Sequence, residues 1–183
     1  MKKKPGLFVI GDSEKCTGCK ACEIACFAVH NENNGVRKTV GTITTPVIPR
    51  LYLTKFDDHC MPIQCRQCED APCLNSCASH AIEKINGVMV VSYPHCIGCK
   101  NCLMACPFGA VELVYQYDKG QRVKQLSVDE DKIIANKCDL CYKSATQACV
   151  AACPNDALHL IDIFAMVNEK KLKAAITLAA TGI

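Results

Sequence analysis

Sixteen of the seventeen cysteines in this 183-residue chain fall into four groups of four, and their spacing limits what the chain can fold around. Cys16, Cys19, Cys22 and Cys26 form a C-x2-C-x2-C-x3-C run. Cys65, Cys68, Cys73 and Cys77 widen the middle gap to C-x4-C. Cys96, Cys99, Cys102 and Cys106 repeat the first spacing and end on Pro107. Cys138, Cys141, Cys149 and Cys153 stretch the middle gap to seven residues and end on Pro154. Cysteine at about 9% of the chain signals either a disulfide framework or a metal protein. The 50% apolar share includes these cysteines and falls to roughly 41% without them, so whatever the thiols hold must replace part of the core.

The redox compartment separates the two readings. The basic start is followed only by the short apolar run Leu7–Ile10, then by Asp12 and Glu14, which does not suit a secretory signal, and there is no twin arginine. No stretch approaches the ~18 uninterrupted apolar residues of a membrane span. The chain therefore reads as cytoplasmic and soluble, where disulfides rarely persist and metal binding is expected. A formal charge of +3 is too balanced to imply a nucleic-acid partner.

Three thiolates at i, i+3 and i+6 on a tight loop can hold three irons of one cubane. The fourth, where the chain leaves the loop, reaches a neighbouring cluster; this is the two-cluster ferredoxin spacing. A zinc site needs two C-x2-C knuckles converging on one ion, and only Cys138/Cys141 with Cys149/Cys153 comes near it. Neither a lone redox C-x2-C beside a βαβ pattern nor a radical-SAM C-x3-C-x2-C is present. The expected cofactors are four [4Fe–4S] clusters. Cys60 makes a plant-type C-x4-C-x2-C with Cys65 and Cys68, but those two serve better with Cys73 and Cys77. Cys60 is expected to be a buried small apolar residue that binds no metal.

Short β-branched runs precede the cysteine groups, and an alanine followed by alternating apolar residues comes after three of them, at Cys77, Cys106 and Cys153. Each repeat reads as strand, cluster loop, short helix, strand. The fold class is α+β: two bacterial-ferredoxin-like units with small antiparallel sheets, one nested inside the other, plus a C-terminal helix. Only eighteen residues, including the turn Asn86-Gly87, separate Cys77 from Cys96, which favours pairing the second and third quartets in an inner unit, residues 60–112. The outer unit is then 1–30 with 136–162; tandem pairing stays open at this point. Nested pairing gives four ligand sets: Cys16, Cys19, Cys22 and Cys153; Cys26, Cys138, Cys141 and Cys149; Cys65, Cys68, Cys73 and Cys106; Cys77, Cys96, Cys99 and Cys102. Residues 31–59 and 113–135 are insertions, the first with a β-like TVGTITTPVIPRLYLTKF stretch. Residues 163–183 read as an amphipathic helix with Phe164, Val167, Leu172, Ile176 and Ala179 near one face, which packs on its own domain or docks on another subunit.

Each oxidised cluster with its thiolates adds about −2, so the loaded protein is near −5 rather than +3. No nucleophile elbow, phosphate loop or dinucleotide fingerprint is present. His30, His59, His80, His95 and His159 are scattered and expected at the surface or as caps. The chain is expected to pass electrons while other subunits make and break bonds. Gly18 and Gly98 let two cluster loops approach closely, whereas Gln67 and Leu140 hold the equivalent positions, so the two kinds of loop should set different potentials.

The runs KCTGCKACEIAC with AVHNEN, CRQCEDAPC, CIGCKNCLMACPFGAVE, and ANKCDLC with ACVAACPNDAL resemble the four-cluster electron-transfer subunits of molybdenum or tungsten oxidoreductases. The nearest likeness is to those of formate hydrogenlyase and hydrogen-dependent carbon dioxide reductase, from about Leu7 to Asp162. The resemblance implies the nested cluster pairing and an electron relay between a formate dehydrogenase catalytic subunit and a hydrogenase subunit. Ala78 stands where the pattern usually has proline, and the tail beyond Asp162 lies outside it. Larger relatives with membrane quinone partners carry an anchoring helix, which is not found here. Service to another molybdenum or tungsten enzyme, or a role in iron–sulfur assembly, are the competing readings. Association with other four-cluster subunits, and a higher-order array through the C-terminal helix, are compatible with relay.

Overall fold

The computed structural model describes residues 6–31, 43–125 and 129–181. Among these, the strands form five separate two-stranded antiparallel ribbons. A two-stranded ribbon is marginal by itself in water, so something else must supply the core. Ten of the 26 buried apolar residues are cysteines, and both apolar clusters of the interior are built around them.

The chain starts with β1 (Leu7–Gly11), then the first cysteine loop and α1 (Ala21–His30). The hairpin β2 (Tyr52–Phe56) and β3 (His59–Ile63) turns at Asp57, which takes the left-handed conformation. The rest of the β-like stretch of the first insertion carries no strand over 43–51, and its earlier part lies outside the described residues. The second loop leads through α2 (Pro72–Asn75) into the hairpin β4 (Ile82–Ile85) and β5 (Val88–Val91). Its turn is Asn86-Gly87, both with positive φ (51° and 84°), as a two-residue hairpin with right-handed strand twist demands.

The third loop and α3 (Asn101–Ala105) are followed by β6 (Val111–Tyr115). The small hairpin β7 (Tyr117–Asp118) and β8 (Gln121–Arg122) projects from the second insertion. The chain returns along β6 as β9 (Ile133–Lys137), in register Val111 to Lys137 and Tyr115 to Ile133. The fourth loop carries α4 (Ala148–Ala151) and ends in β10 (Leu158–Asp162). β10 pairs with β1, Leu7 opposite Asp162 and Gly11 opposite Leu158, so the first and last ribbon strands close around everything between them.

β10 continues directly into α5 (Ile163–Thr181), which buries none of its residues. It touches the body at its base: Ile163 donates its N–H to the Gly6 carbonyl at 3.1 Å, and a Cβ on Gly6 would lie 2.7 Å from the Phe164 ring. Packing of the helix on its own domain is therefore not what the structure shows. Phe164, Val167, Leu172 and Ile176 are 53, 41, 62 and 60% exposed. No described helix is long and apolar enough to cross a membrane.

Because no residue of α5 is buried, ending the chain after Asp162 should leave the thermal unfolding midpoint of the loaded protein and its iron content nearly unchanged. A large drop in either would show that the helix stabilises the body.

Candidate metal centres

Each cysteine loop is shaped by one residue in the left-handed region between its first two cysteines: Gly18, Gln67, Gly98 and Leu140, with φ of 74, 53, 69 and 53°. This turns the backbone N–H inward, and Gln67 and Leu140 donate theirs to Cys65 and Cys138 Sγ at 3.4 Å. Glycine is needed where the loop is pressed against a neighbour. A Cβ on Gly98 would meet the Ile133 carbonyl oxygen at 2.7 Å, and one on Gly18 would meet Cys60 Sγ at 3.0 Å. Gln67 and Leu140 accept the same backbone because their side chains point into the protein. Gln67 Nε2 donates to the Cys138 carbonyl at 3.0 Å and its Oε1 accepts the Met89 N–H at 2.8 Å, while Leu140 is a fully buried core residue.

The repeated alanine has a comparable cause. Ala81, Ala110 and Ala157 donate their N–H groups to Cys77, Cys106 and Cys153 Sγ at 3.3, 3.4 and 3.2 Å, and all three are buried too tightly for a larger side chain. The first quartet breaks this rule. His30 holds the equivalent position, α1 runs on through it, and Cys26 Sγ instead accepts the Arg50 N–H at 3.3 Å.

The structure brings the sixteen cysteines together three from one quartet and one from another. Cys16, Cys19 and Cys22 share a pocket with Cys153; Cys65, Cys68 and Cys73 share one with Cys106; Cys96, Cys99 and Cys102 share one with Cys77. Each of the three pockets is lined by four thiols, three from one quartet and one from another, as a repeated occupant requires. Cys138, Cys141 and Cys149 lie close enough to Cys26 for their charges to interact. Since Cys153 sits with the first quartet, the fourth quartet does not converge on one zinc ion. Among the described residues, no three of His, Cys, Asp or Glu close tightly enough to grip a single ion.

Burial pushes the Cys22 and Cys102 thiols up to about 11, Cys26 and Cys149 to about 12, and Cys138 higher still. Cys77 is drawn down although burial opposes it, because the Ile82 and Ala81 N–H groups and the Ser79 hydroxyl outweigh the desolvation. Most of these thiols would stay protonated without a cation, so metal loading must release protons. Soft sulfur donors, N–H groups aimed at sulfur, and pockets wider than one ion together fit an iron–sulfur cluster.

Asp139, between Cys138 and Cys141, anchors a buried polar network. Its carboxylate accepts from His30 Nε2 at 2.9 Å, from the Cys141 N–H at 3.0 Å and from the Arg50 guanidinium, which also donates to the Tyr93 hydroxyl at 2.9 Å. Burial works against the Asp139 carboxylate, but His30 and Arg50 hold it well below the usual carboxylate range. His30 is thus not a surface or capping residue but half-buried, with its Nδ1 2.8 Å from the Cys26 carbonyl oxygen. His59, His80 and His95 are exposed. Cys60 is half-buried rather than buried, lies in β3 opposite Lys55, and packs on Gly18 outside all four thiol sets. Sequence reasoning missed Arg50, Asp139 and the bridging by Gln67, because the partners that give them these roles are distant: Cys26 lies 24 positions from Arg50, Cys138 71 from Gln67, and His30 109 from Asp139. An acidic residue directly between two cysteines was the one available signal.

A family profile described as a 4Fe-4S dicluster domain matches residues 95–157, which hold the third and fourth quartets. Electron transport protein HydN of Escherichia coli (strain K12) is 42% identical over 156 residues, covering 85% of this chain and 87% of HydN. The chain belongs to the HydN-like family of electron transport proteins. Among other relatives of this HydN-like chain, putative electron transport protein YsaA of the same organism is 40% identical over 85% of this chain and 90% of YsaA. Formate hydrogenlyase subunit 2, also from that strain, is 34% identical over 93% of this chain and 89% of its own. The HydN-like chain is an electron-transfer iron–sulfur protein of the [4Fe–4S] type.

Two measurements follow from the loop geometry. Gly98→Ala should cost about 1–3 kcal/mol more than Gly109→Ala in thermal unfolding, since both share positive φ but only at Gly98 would the added methyl overlap a neighbour. A redox titration should separate the clusters under the glycine loops, where Cys19 and Cys99 are exposed, from those under the buried Gln67 and Leu140 loops. A single common midpoint would contradict this.

Proposed function

We propose that this HydN-like chain is a non-catalytic relay subunit holding four [4Fe–4S] clusters, which passes single electrons between a formate dehydrogenase catalytic subunit and a hydrogenase subunit of one cytoplasmic complex. Each cluster, when bound, takes up and releases one electron. The ligand sets are Cys16, Cys19, Cys22 and Cys153 (first); Cys26, Cys138, Cys141 and Cys149 (second); Cys65, Cys68, Cys73 and Cys106 (third); Cys77, Cys96, Cys99 and Cys102 (fourth). The two units are nested, which the pairing of β1 with β10 supports.

One observation carries the relay: the four thiol sets form a series running through the protein from one exposed cysteine to another. Cys22 and Cys26 sit four residues apart on α1, about 6 Å of helix rise, and tie the first set to the second. Gln67, reaching from the second quartet's loop to the Cys138 carbonyl, ties the second set to the third. Cys73 with Cys77, and Cys102 with Cys106, tie the third set to the fourth. The second set is the most enclosed, Cys26, Cys138, Cys141 and Cys149 all being buried, while Cys19 and Cys99 open the two ends. Enclosing the middle keeps water and stray oxidants away, and opening the ends lets partners approach. The likeness to formate hydrogenlyase subunit 2 supports the choice of partners, and the exposed apolar side chains of α5 leave room for association with other four-cluster subunits.

Anaerobically purified protein should carry roughly sixteen iron and sixteen acid-labile sulfide per chain, unchanged by Cys60→Ser. It should co-purify stoichiometrically with both catalytic subunits. Passing contact with an immature enzyme, accompanied by loss of iron to it, would favour an assembly factor instead.

A further inference from the structure

We propose that Lys137 is the counter-ion shared by the two middle clusters, and that its charge raises the potentials of those two and not of the end clusters. The inference rests on the four-cluster relay reading and concerns a side chain outside every ligand set.

Lys137 ends β9 immediately before Cys138 and is 2% exposed. Its Nζ donates to the Met89 carbonyl at 2.6 Å and to the Cys138 carbonyl at 2.9 Å. Among the described residues no carboxylate lies within ion-pair distance of it. A buried ammonium with only neutral acceptors is costly, and proteins almost always supply an anion. Here the place of that anion falls to the clusters. Lys137 lines the pocket of Cys65, Cys68, Cys73 and Cys106, and its backbone leads directly into Cys138 of the second set. With its side chain lining the thiol pocket of the third set and its ammonium on the Cys138 carbonyl of the second, it borders two sets at once.

The sign of the effect follows from charge. Taking up an electron makes a cluster more negative, and a fixed cation in a poorly screened interior stabilises the reduced form more than the oxidised one. The end sets have lysines beside their loops too, Lys20 and Lys100, but both are exposed and their fields are screened by water and salt. The interior cation therefore distinguishes middle from ends.

The test compares Lys137→Gln, which keeps a donor to the two carbonyls without the charge, with Lys137→Arg, which keeps the charge. Wild-type protein is first assayed for sixteen iron per chain; failure there overturns the four-cluster reading rather than the role of Lys137. With loaded wild type, an EPR-monitored redox titration of Lys137→Gln should show two midpoints moved to lower potential and two unmoved, with Lys137→Arg close to wild type. Loss of iron from Lys137→Gln alone, with Lys137→Arg fully loaded, would equally uphold the counter-ion role. Four unmoved midpoints, an equal shift of all four, or loss of iron from both variants would overturn it.

Discussion

Everything in this fold depends on burying sulfur without burying uncompensated charge. The ribbons are too small to hold together as sheets, and the interior they enclose is lined by thiols that desolvation pushes toward the protonated state. Backbone N–H groups aimed at sulfur offset part of that cost, and the iron of a bound cluster would neutralise part of the thiolate charge, leaving a net negative centre. This explains why the loops are so constrained in conformation. A left-handed residue after the first cysteine and a buried alanine four positions beyond the last are both ways of directing an amide at sulfur.

The same constraint explains the break in the repeat. Once α1 continues past Cys26, the amide four residues on is committed to the helix, and Cys26 needs another donor. Arg50 provides it from the first insertion, with its guanidinium held by Asp139 inside the fourth loop. One residue thus fixes the insertion, the first quartet and the fourth quartet together. Removing a single member of such a buried ionic network leaves its partners uncompensated, which commonly costs a few kcal/mol.

Cysteine spacing made the sulfur grouping and the loop–helix–strand repeat readable in advance, because both are local: three thiols within seven positions, an alanine at a fixed offset, Asn-Gly at a hairpin. Nothing local could reveal that Gln67 stands in a glycine position and bridges two quartets, or that Lys137 is buried with its ammonium on the Met89 and Cys138 carbonyls. Those roles exist only after distant segments meet. The tail was legible as a helix, but not as one apolar face: Val167 and Ile176, nine residues apart, lie on opposite sides of α5, and none of its residues is buried. His30 misled for a related reason: its partner Asp139 is 109 positions away, so a scattered histidine in the sequence became a half-buried hydrogen-bond donor to Asp139 in the fold.

The most direct test of the central claim, that each quartet divides three to one between neighbouring clusters, is anomalous scattering at the iron absorption edge from anaerobic crystals. Four compact iron centres should appear, each bounded by three cysteines of one quartet and one of another, with Cys26 at the centre of Cys138, Cys141 and Cys149. Iron centres each enclosed by a single quartet, or a zinc signal at the fourth, would contradict it.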